Sequence, residues 1–227
     1  MEEQRMSSID RDNTPRKPEV NLIQHWLARF IFAVMGWKVE GFVRDYPKMM
    51  VVAGPHTANQ DGAMLVLASW IVRQKIKWMV KIEATRGPFG WLIKALGGVG
   101  IDRSASFNTV EQVVDEYNSR EKFLLVVAPE GTRKKTNHWR TGFYWMAVGA
   151  GIPIMFGVLD YKRKVVDLSP QILHPSGDIE ADIETIWDIY RPATARFPEK
   201  VADMKLRPSG LKSPLEHSPE TVDDSDA

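Results

Sequence analysis

His56 and Asp61 stand five positions apart in the run Gly54-Pro55-His56-Thr57-Ala58-Asn59-Gln60-Asp61. An imidazole and a carboxylate are what a general base and its orienting acid require. An Asp bonded to one ring nitrogen fixes the tautomer and raises the basicity of the other. A His prepared in this way can take a proton from a hydroxyl. The spacing alone is weak evidence. With 5 His and 15 Asp in 227 residues, chance supplies roughly 0.3 such pairs per chain. Nor can the two residues pair as helix neighbours, since five positions on an ideal helix are about 140° apart. A turn must bring them together, and Gly54, Pro55 and Gly62 supply residues suited to one.

A second polar run, Ala128-Pro129-Glu130-Gly131-Thr132-Arg133, offers a carboxylate, a hydroxyl and a forked cation. Arg is suited to bidentate phosphate binding, and Lys134 and Lys135 extend the positive charge. A third run, Gly97-Gly98-Val99-Gly100-Ile101-Asp102-Arg103, ends in another Arg. Its glycines are not spaced G-x-G-x-x-G, which excludes a dinucleotide loop. His138, beside Trp139 and close to Arg133, is a lesser candidate for the same site.

The elements that must position these runs alternate along the chain. Val20 to Trp37 predicts a helix with a wide apolar face, its Trp residues at either end of the apolar stretch. Two readings fit that face: packing on the body of the domain, or lying in a membrane interface, where Trp and Phe are favoured. Met49 to Ala53, Trp78 to Ile82, Phe123 to Val127 and Ile152 to Leu159 read as strands. Ala63 to Val72, Gly90 to Leu96, a segment capped by Asn108, Phe143 to Val148, and Ile179 to Tyr190 read as helices. Strands separated by helices argue for an α/β fold: a single domain whose largely parallel central sheet is flanked by helices, with an N-terminal amphipathic helix. Such folds place ligands at the carboxyl ends of strands, and His56 and Glu130 both follow apolar strand candidates.

Composition narrows the function classes. The chain has no Cys, which excludes disulfides, thiolate metal sites and Cys nucleophiles. Met1 to Glu19 is polar and mixed in charge, unlike a signal peptide. Residues 1–18 and 203–227 are rich in Ser, Pro, Asp and Glu and predict disordered tails, the second acidic, around a folded domain at 19–202. The net charge is +1 overall, and the acidic C-terminal tail leaves the body mildly basic. That balance suits an anionic small substrate or an anionic membrane face, and no aromatic–basic repeat points to nucleic acid. The longest uncharged stretch, Thr141 to Leu159, is long enough to span a bilayer. Gly149, Gly151 and Pro153 interrupt it, so a helix followed by a strand explains it better.

His56-x4-Asp61, Gly100-Ile101-Asp102-Arg103, Pro129-Glu130-Gly131-Thr132-Arg133 and Ile152-Pro153-Ile154 follow one another along the chain. In that order they resemble the four blocks of the glycerolipid acyltransferases, most closely the 1-acyl-glycerol-3-phosphate acyltransferase type. The resemblance runs from about residue 37 to 190. It implies His56 as general base on an acceptor hydroxyl and Asp61 as its orienting partner. It implies phosphate binding by Arg103, an acceptor site shaped by Glu130, Gly131, Thr132 and Arg133, and Pro153 in a block associated with the acyl donor. It further implies an acyl-CoA or acyl-carrier-protein co-substrate, no bound cofactor, no metal, and a place in phospholipid biosynthesis. The expected location is the cytoplasmic face of the membrane, held peripherally through Val20–Trp37. The chain departs from the family pattern at Pro55, Ala58 and Ala128, which leave the base and acid in place and bear on acceptor identity. Two other readings use the same residues: a thioester or phosphoester hydrolase, and a non-catalytic lipid-binding protein.

Overall fold

The apolar runs become the centre of a twisted sheet in the computed structural model, which describes residues 9–10, 15–102 and 106–217. In chain order the strands are β1 (Ile9–Asp10), β2 (Lys38–Gly41), β3 (Lys48–Gly54), β4 (Lys77–Lys81), β5 (Gly98–Ile101), β6 (Phe123–Val127), β7 (Ile154–Asp160) and β8 (Val165–Leu173). The helices are α1 (Leu22–Met35), α2 (Asn59–Ile71), α3 (Ile82–Arg86), α4 (Gly90–Ala95), α5 (Ser106–Asn118), α6 (Gly142–Ala150) and α7 (Ile179–Tyr190). The sheet order is β1-β8-β7-β3-β6-β4-β5, with β2 also paired to β8. From β7 across to β5 every pairing is parallel; β8 is antiparallel to β7 and β1. This is the largely parallel α/β sheet that the alternation of elements predicts.

The strands at the centre are apolar on both faces because both faces are covered. Met50 and Val52 face one side, against Val110, Val113 and Tyr117 of α5 and Phe143 of α6. Met49, Val51 and Ala53 face the other, against Leu65 and Val72. The helix α1 packs outside α2, where Phe32 meets Met64 and Ala68. Its start is fixed by Asn21, whose Oδ1 accepts from the Gln24 N–H at 2.9 Å. Its end is fixed by Gly36 in the left-handed region, whose N–H turns back to the Ala33 and Phe32 carbonyls.

Several boundaries differ from the sequence expectation. α2 starts at Asn59 rather than Ala63, which puts Asp61 in its first turn. α5 starts at Ser106, so Asn108 lies inside its first turn instead of capping it. The uncharged stretch from Thr141 does resolve into a helix, a left-handed Gly151 and a strand. Among the described residues no helix is long and apolar enough to cross a membrane. Residues 203–217, expected in the acidic tail, pack back on the body. Met204, Leu206, Leu211 and Leu215 cover the core on the α5–α6 side, and the Trp145 indole N–H donates to the Gly210 carbonyl at 3.0 Å. In the N-terminal segment, Ile9–Asp10 pairs with β8, and the Arg16 guanidinium donates to the Tyr46 carbonyl at 2.9 Å.

Candidate active site

β3 and β6 are adjacent and parallel, with Val52 beside Val127. The chain therefore leaves both at the same edge of the sheet, and the two polar runs meet there. The His56 loop follows β3 and the Glu130 loop follows β6. Their contact is direct: the His56 backbone N–H donates to Glu130 Oε1 at 3.0 Å. Glu130 is only 3% exposed, and its Oε2 is buried without a hydrogen-bond partner. Burial pushes its carboxyl above the ordinary glutamate range, and the bond from His56 offsets this only in part.

Asp61 is fully buried. It sits at the third position of α2 and reaches back over the helix start. Its Oδ2 accepts from the Thr57 N–H at 2.7 Å and the Ala58 N–H at 2.8 Å. This is one half of a capping box; Ala58, having no side-chain acceptor, cannot supply the other half. The helix N-terminus also favours a negative charge at this position. The same oxygen lies 3.3 Å from His56 Nδ1. That contact is long and off-line for a hydrogen bond, as catalytic pairs often are before a reacting complex tightens them. The required turn therefore exists, and it is built by the Asp itself.

The other oxygen of Asp61 reveals a residue that the sequence reading missed. The Tyr161 hydroxyl donates to Asp61 Oδ1 at 2.6 Å. Burial alone would raise the Asp61 carboxyl, but the His56 ring, the Tyr161 hydroxyl and the two amides outweigh it and hold the carboxyl below the ordinary range. Tyr161 is shifted the opposite way: burial and the neighbouring carboxylate push its phenol above the usual tyrosine value. Tyr161 follows β7, another strand that ends at this edge. Its signal in the sequence was a polar pair, Asp160-Tyr161, directly after an apolar run, the same pattern that marked His56 and Glu130.

A strap closes the back of the site. After α7 the chain returns so that the Tyr161 N–H donates to the Thr194 carbonyl at 2.8 Å. The Phe197 N–H then donates to Thr57 Oγ1 at 3.3 Å. The Arg196 guanidinium carbon lies 5.9 Å from the centre of the Tyr161 ring.

The remaining sequence candidates divide. Gly131, Thr132 and Arg133 continue the loop that carries Glu130. Gly131 adopts φ +64°, a left-handed conformation that favours glycine. Thr132 Oγ1 accepts from the Lys134 N–H at 3.3 Å. Arg133 is exposed and makes no ion pair or side-chain hydrogen bond among the described residues, which leaves its guanidinium free for a ligand. Asp102 ends β5 at the same sheet edge, with its backbone N–H held by Gln112 Oε1 at 3.2 Å; Arg103 lies outside the described residues. Pro153 is not brought to the site. It is buried where β7 begins, its carbonyl accepting from the Met50 N–H at 3.0 Å, at the end of the sheet opposite His56. Burial, and the charges of the nearby Arg207 and Arg140, lower the His138 imidazole below its usual value.

The arrangement is an imidazole beside a buried carboxylate at the end of a central strand, with an exposed arginine on the neighbouring loop that has no ion pair among the described residues. Comparison with known proteins bears on the chemistry it serves. No curated protein sequence is similar enough to count as a relative. Among solved structures, the fold is similar to the 1-acyl-sn-glycerophosphate acyltransferase PlsC from Thermotoga maritima. The TM-score is 0.52 at 14% identity, over 75% of this chain and 76% of that one. A family model described as Acyltransferase matches residues 39–156. That span runs from β2 into β7, takes in both polar loops and exceeds half of the chain. The chain therefore belongs to the acyltransferase family.

Proposed function

We propose that this protein transfers a fatty acyl group from an acyl thioester to the hydroxyl of a lysophospholipid-like acceptor, with His56 as general base. The observation that carries the proposal is the placement of His56 Nδ1 against Asp61 Oδ2, 3.3 Å away. With Nδ1 turned to the carboxylate, Nε2 is the nitrogen left to take a proton. The acceptor hydroxyl gives its proton to Nε2 as its oxygen attacks the thioester carbonyl carbon. The tetrahedral intermediate collapses, the C–S bond breaks, and the leaving thiolate takes the proton back from the imidazolium. The products are an ester and a free thiol, with no covalent acyl-enzyme.

Arg133, on the neighbouring loop, holds the acceptor phosphate, and Arg103, which follows β5 in the sequence, is its partner. Glu130, Gly131 and Thr132 shape that loop, and Glu130 does so by clasping the His56 amide. Acyl-CoA or acyl-carrier protein is the co-substrate class, and α1 is the element that meets the membrane holding the acceptor. The Thermotoga maritima protein is named for 1-acyl-sn-glycerophosphate, and this is the first acceptor to try here. The test is an assay of the full chain with a panel of lysolipids against both thioester carriers. The expected product is a diacyl lipid with stoichiometric thiol. Free fatty acid or free phosphate without acylated lipid means a hydrolase, and saturable lipid binding with no product means a binding protein.

Tyr161 gives this mechanism a pH signature. Asp61 must be ionised to support an imidazolium, and the Tyr161 hydroxyl is one of the donors that keep it so. Tyr161→Phe removes that donor, and the carboxyl rises towards its ordinary value. A depressed carboxyl stabilises the fold above the unfolded Asp value and loses that contribution as pH falls through the folded one. In the variant that loss begins at higher pH. The expected result is a roughly tenfold drop in kcat/KM, the worth of one hydrogen bond to a charged group. The acid limb of the pH–rate profile and the acid-unfolding midpoint both move upward. An unmoved acid limb would leave Tyr161 a packing residue.

A further inference from the structure

The ten large apolar side chains that the described residues leave exposed all lie on one side of the sheet. Six belong to α1, where Ile23 is 82% and Val34 is 72% exposed. The other four, Phe89, Trp91, Leu92 and Leu96, belong to the hairpin of α3 and α4. The α1 face that reads as apolar in the sequence is thus turned outward, and Ala28 and Phe32 are the side chains it buries.

Register fixes the side on which the hairpin lies. Val126 of β6 packs on the α2 side. Trp78 of β4 is its register partner, and Gly98 of β5 is the partner of Trp78. The open faces of Gly98 and Gly100 are filled by Ile93 of α4 and Thr85 of α3. Val99, pointing the other way, packs with α5. So α1, α2 and the α3–α4 hairpin share one side, as right-handed crossovers running in one direction along a sheet require.

Residues 73–97, which carry the hairpin, hold six basic side chains and one acidic, Glu83. Residues 62–72, the body of α2, hold none of either sign. On the opposite side α5 and α7 together hold seven acidic side chains and no basic one. One side is apolar and cationic, with Trp and Phe beside Lys and Arg; on the other, the acidic helices are offset by Arg120 and Arg191, which pair with Glu116, Glu184 and Asp188, and by the exposed Lys205, Arg207 and Lys212. Exposed aromatic and aliphatic side chains flanked by cations match an anionic bilayer surface, with the hydrocarbons entering the interface and the cations meeting headgroups.

We propose that Phe89, Trp91, Leu92 and Leu96 form a second lipid-contacting element which, together with α1, lays the whole α2 side of the molecule on an anionic bilayer. This deepens the membrane part of the function proposed above. It also ties docking to the site. Trp37, just past α1, packs edge-on against Tyr161 with ring centres 4.8 Å apart, and Tyr161 holds Asp61. The hairpin leaves β4 at the sheet edge that carries His56. A protein docked on both elements has its catalytic end beside the headgroups, where a lysolipid hydroxyl would be met.

The experiment is sedimentation of the full chain with phosphatidylcholine vesicles, with and without phosphatidylglycerol. It compares wild type, Phe89→Ser with Trp91→Ser, and Lys81→Glu with Lys94→Glu. The vesicles contain no substrate, so the result stands apart from whether the protein transfers acyl groups. These side chains are exposed, so the thermal midpoint should not move, and it serves as the folding control. The expected result is at least tenfold weaker partitioning for the apolar pair on both vesicle types. The charge-reversed pair should lose binding only on the anionic vesicles. Wild-type partitioning in the apolar variant would overturn the proposal. So would a vesicle-free dimer of the wild type that the same two substitutions dissociate, since the patch would then be a self-interface.

Discussion

His56→Ala is expected to cut acyl transfer by about 10²- to 10⁴-fold, the usual contribution of a positioned general base, with the fold intact. The side chain is partly exposed, at 21%, and its ring makes no hydrogen bond that the loop depends on. The structural bond at this position is made by the His56 backbone N–H to Glu130, and alanine keeps it. Turnover and stability should therefore separate cleanly: kcat falls, while the thermal midpoint stays near that of the wild type. Addition of imidazole offers a further check, because a small soluble base can enter the space left by the ring. A folded His56→Ala protein that keeps more than a tenth of wild-type turnover would remove His56 from the chemistry, and the thioester attack would need another base.

The loop amides add a constraint to the same mechanism. The N–H of His56 goes to Glu130, and those of Thr57 and Ala58 go to Asp61. The Gly131 N–H goes to the Ala128 carbonyl. None of these four is free to stabilise a tetrahedral oxyanion. The two polar loops are instead braced by their own amides and two buried carboxylates. In the proposed mechanism their part is to hold His56 and Arg133 in place, and the charge on the carbonyl oxygen must be met by other donors.

How much of this could be read in advance depends on the kind of signal. Central strands were legible because burial on both faces leaves continuous apolar runs, as in Phe123–Val127. The site edge was legible because a polar run directly after such a strand has nowhere else to go. β8 was not legible. Val165–Leu173 mixes Asp167, Ser169 and Pro170 into its apolar positions. Its pairing with β7 slips between Met155 and Gly157, and a bulge of that kind is where a strand tolerates proline. Tyr161 was missed for a related reason. Its partner Asp61 is 100 residues away, and only the β3–β7 pairing brings them together. The outward apolar face of α1 was seen in the sequence, but helical periodicity cannot say whether such a face meets protein or lipid. The structure shows that the face is turned outward, with Ala28 and Phe32 turned inward.

Asp61→Asn should cost about 10- to 10³-fold in turnover, through charge rather than tautomer. Two amides converge on Oδ2, so an asparagine must place its carbonyl oxygen there and its NH2 where Oδ1 now meets the Tyr161 hydroxyl. That hydroxyl can rotate to accept. The carbonyl still faces His56 Nδ1, so the imidazole keeps its tautomer. What is lost is the negative charge beside the developing imidazolium, and an opposite charge at this range is worth roughly one to three powers of ten. Stability should fall by only about 1–2 kcal/mol, as charge-assisted bonds become neutral ones. Asp61→Ala is a different experiment. It strands the Thr57 and Ala58 amides and the Tyr161 hydroxyl in a buried place, at about 1–3 kcal/mol for each unsatisfied group. It should cost the loop its shape and the protein much of its stability. Denaturant unfolding of the two variants beside their kcat values separates the two duties of this carboxylate. A folded Asp61→Asn protein with wild-type turnover would mean that Asp61 builds the loop and does nothing more for His56. A stable Asp61→Ala protein would mean that the loop is held by the Glu130 clasp and the Phe197 strap instead.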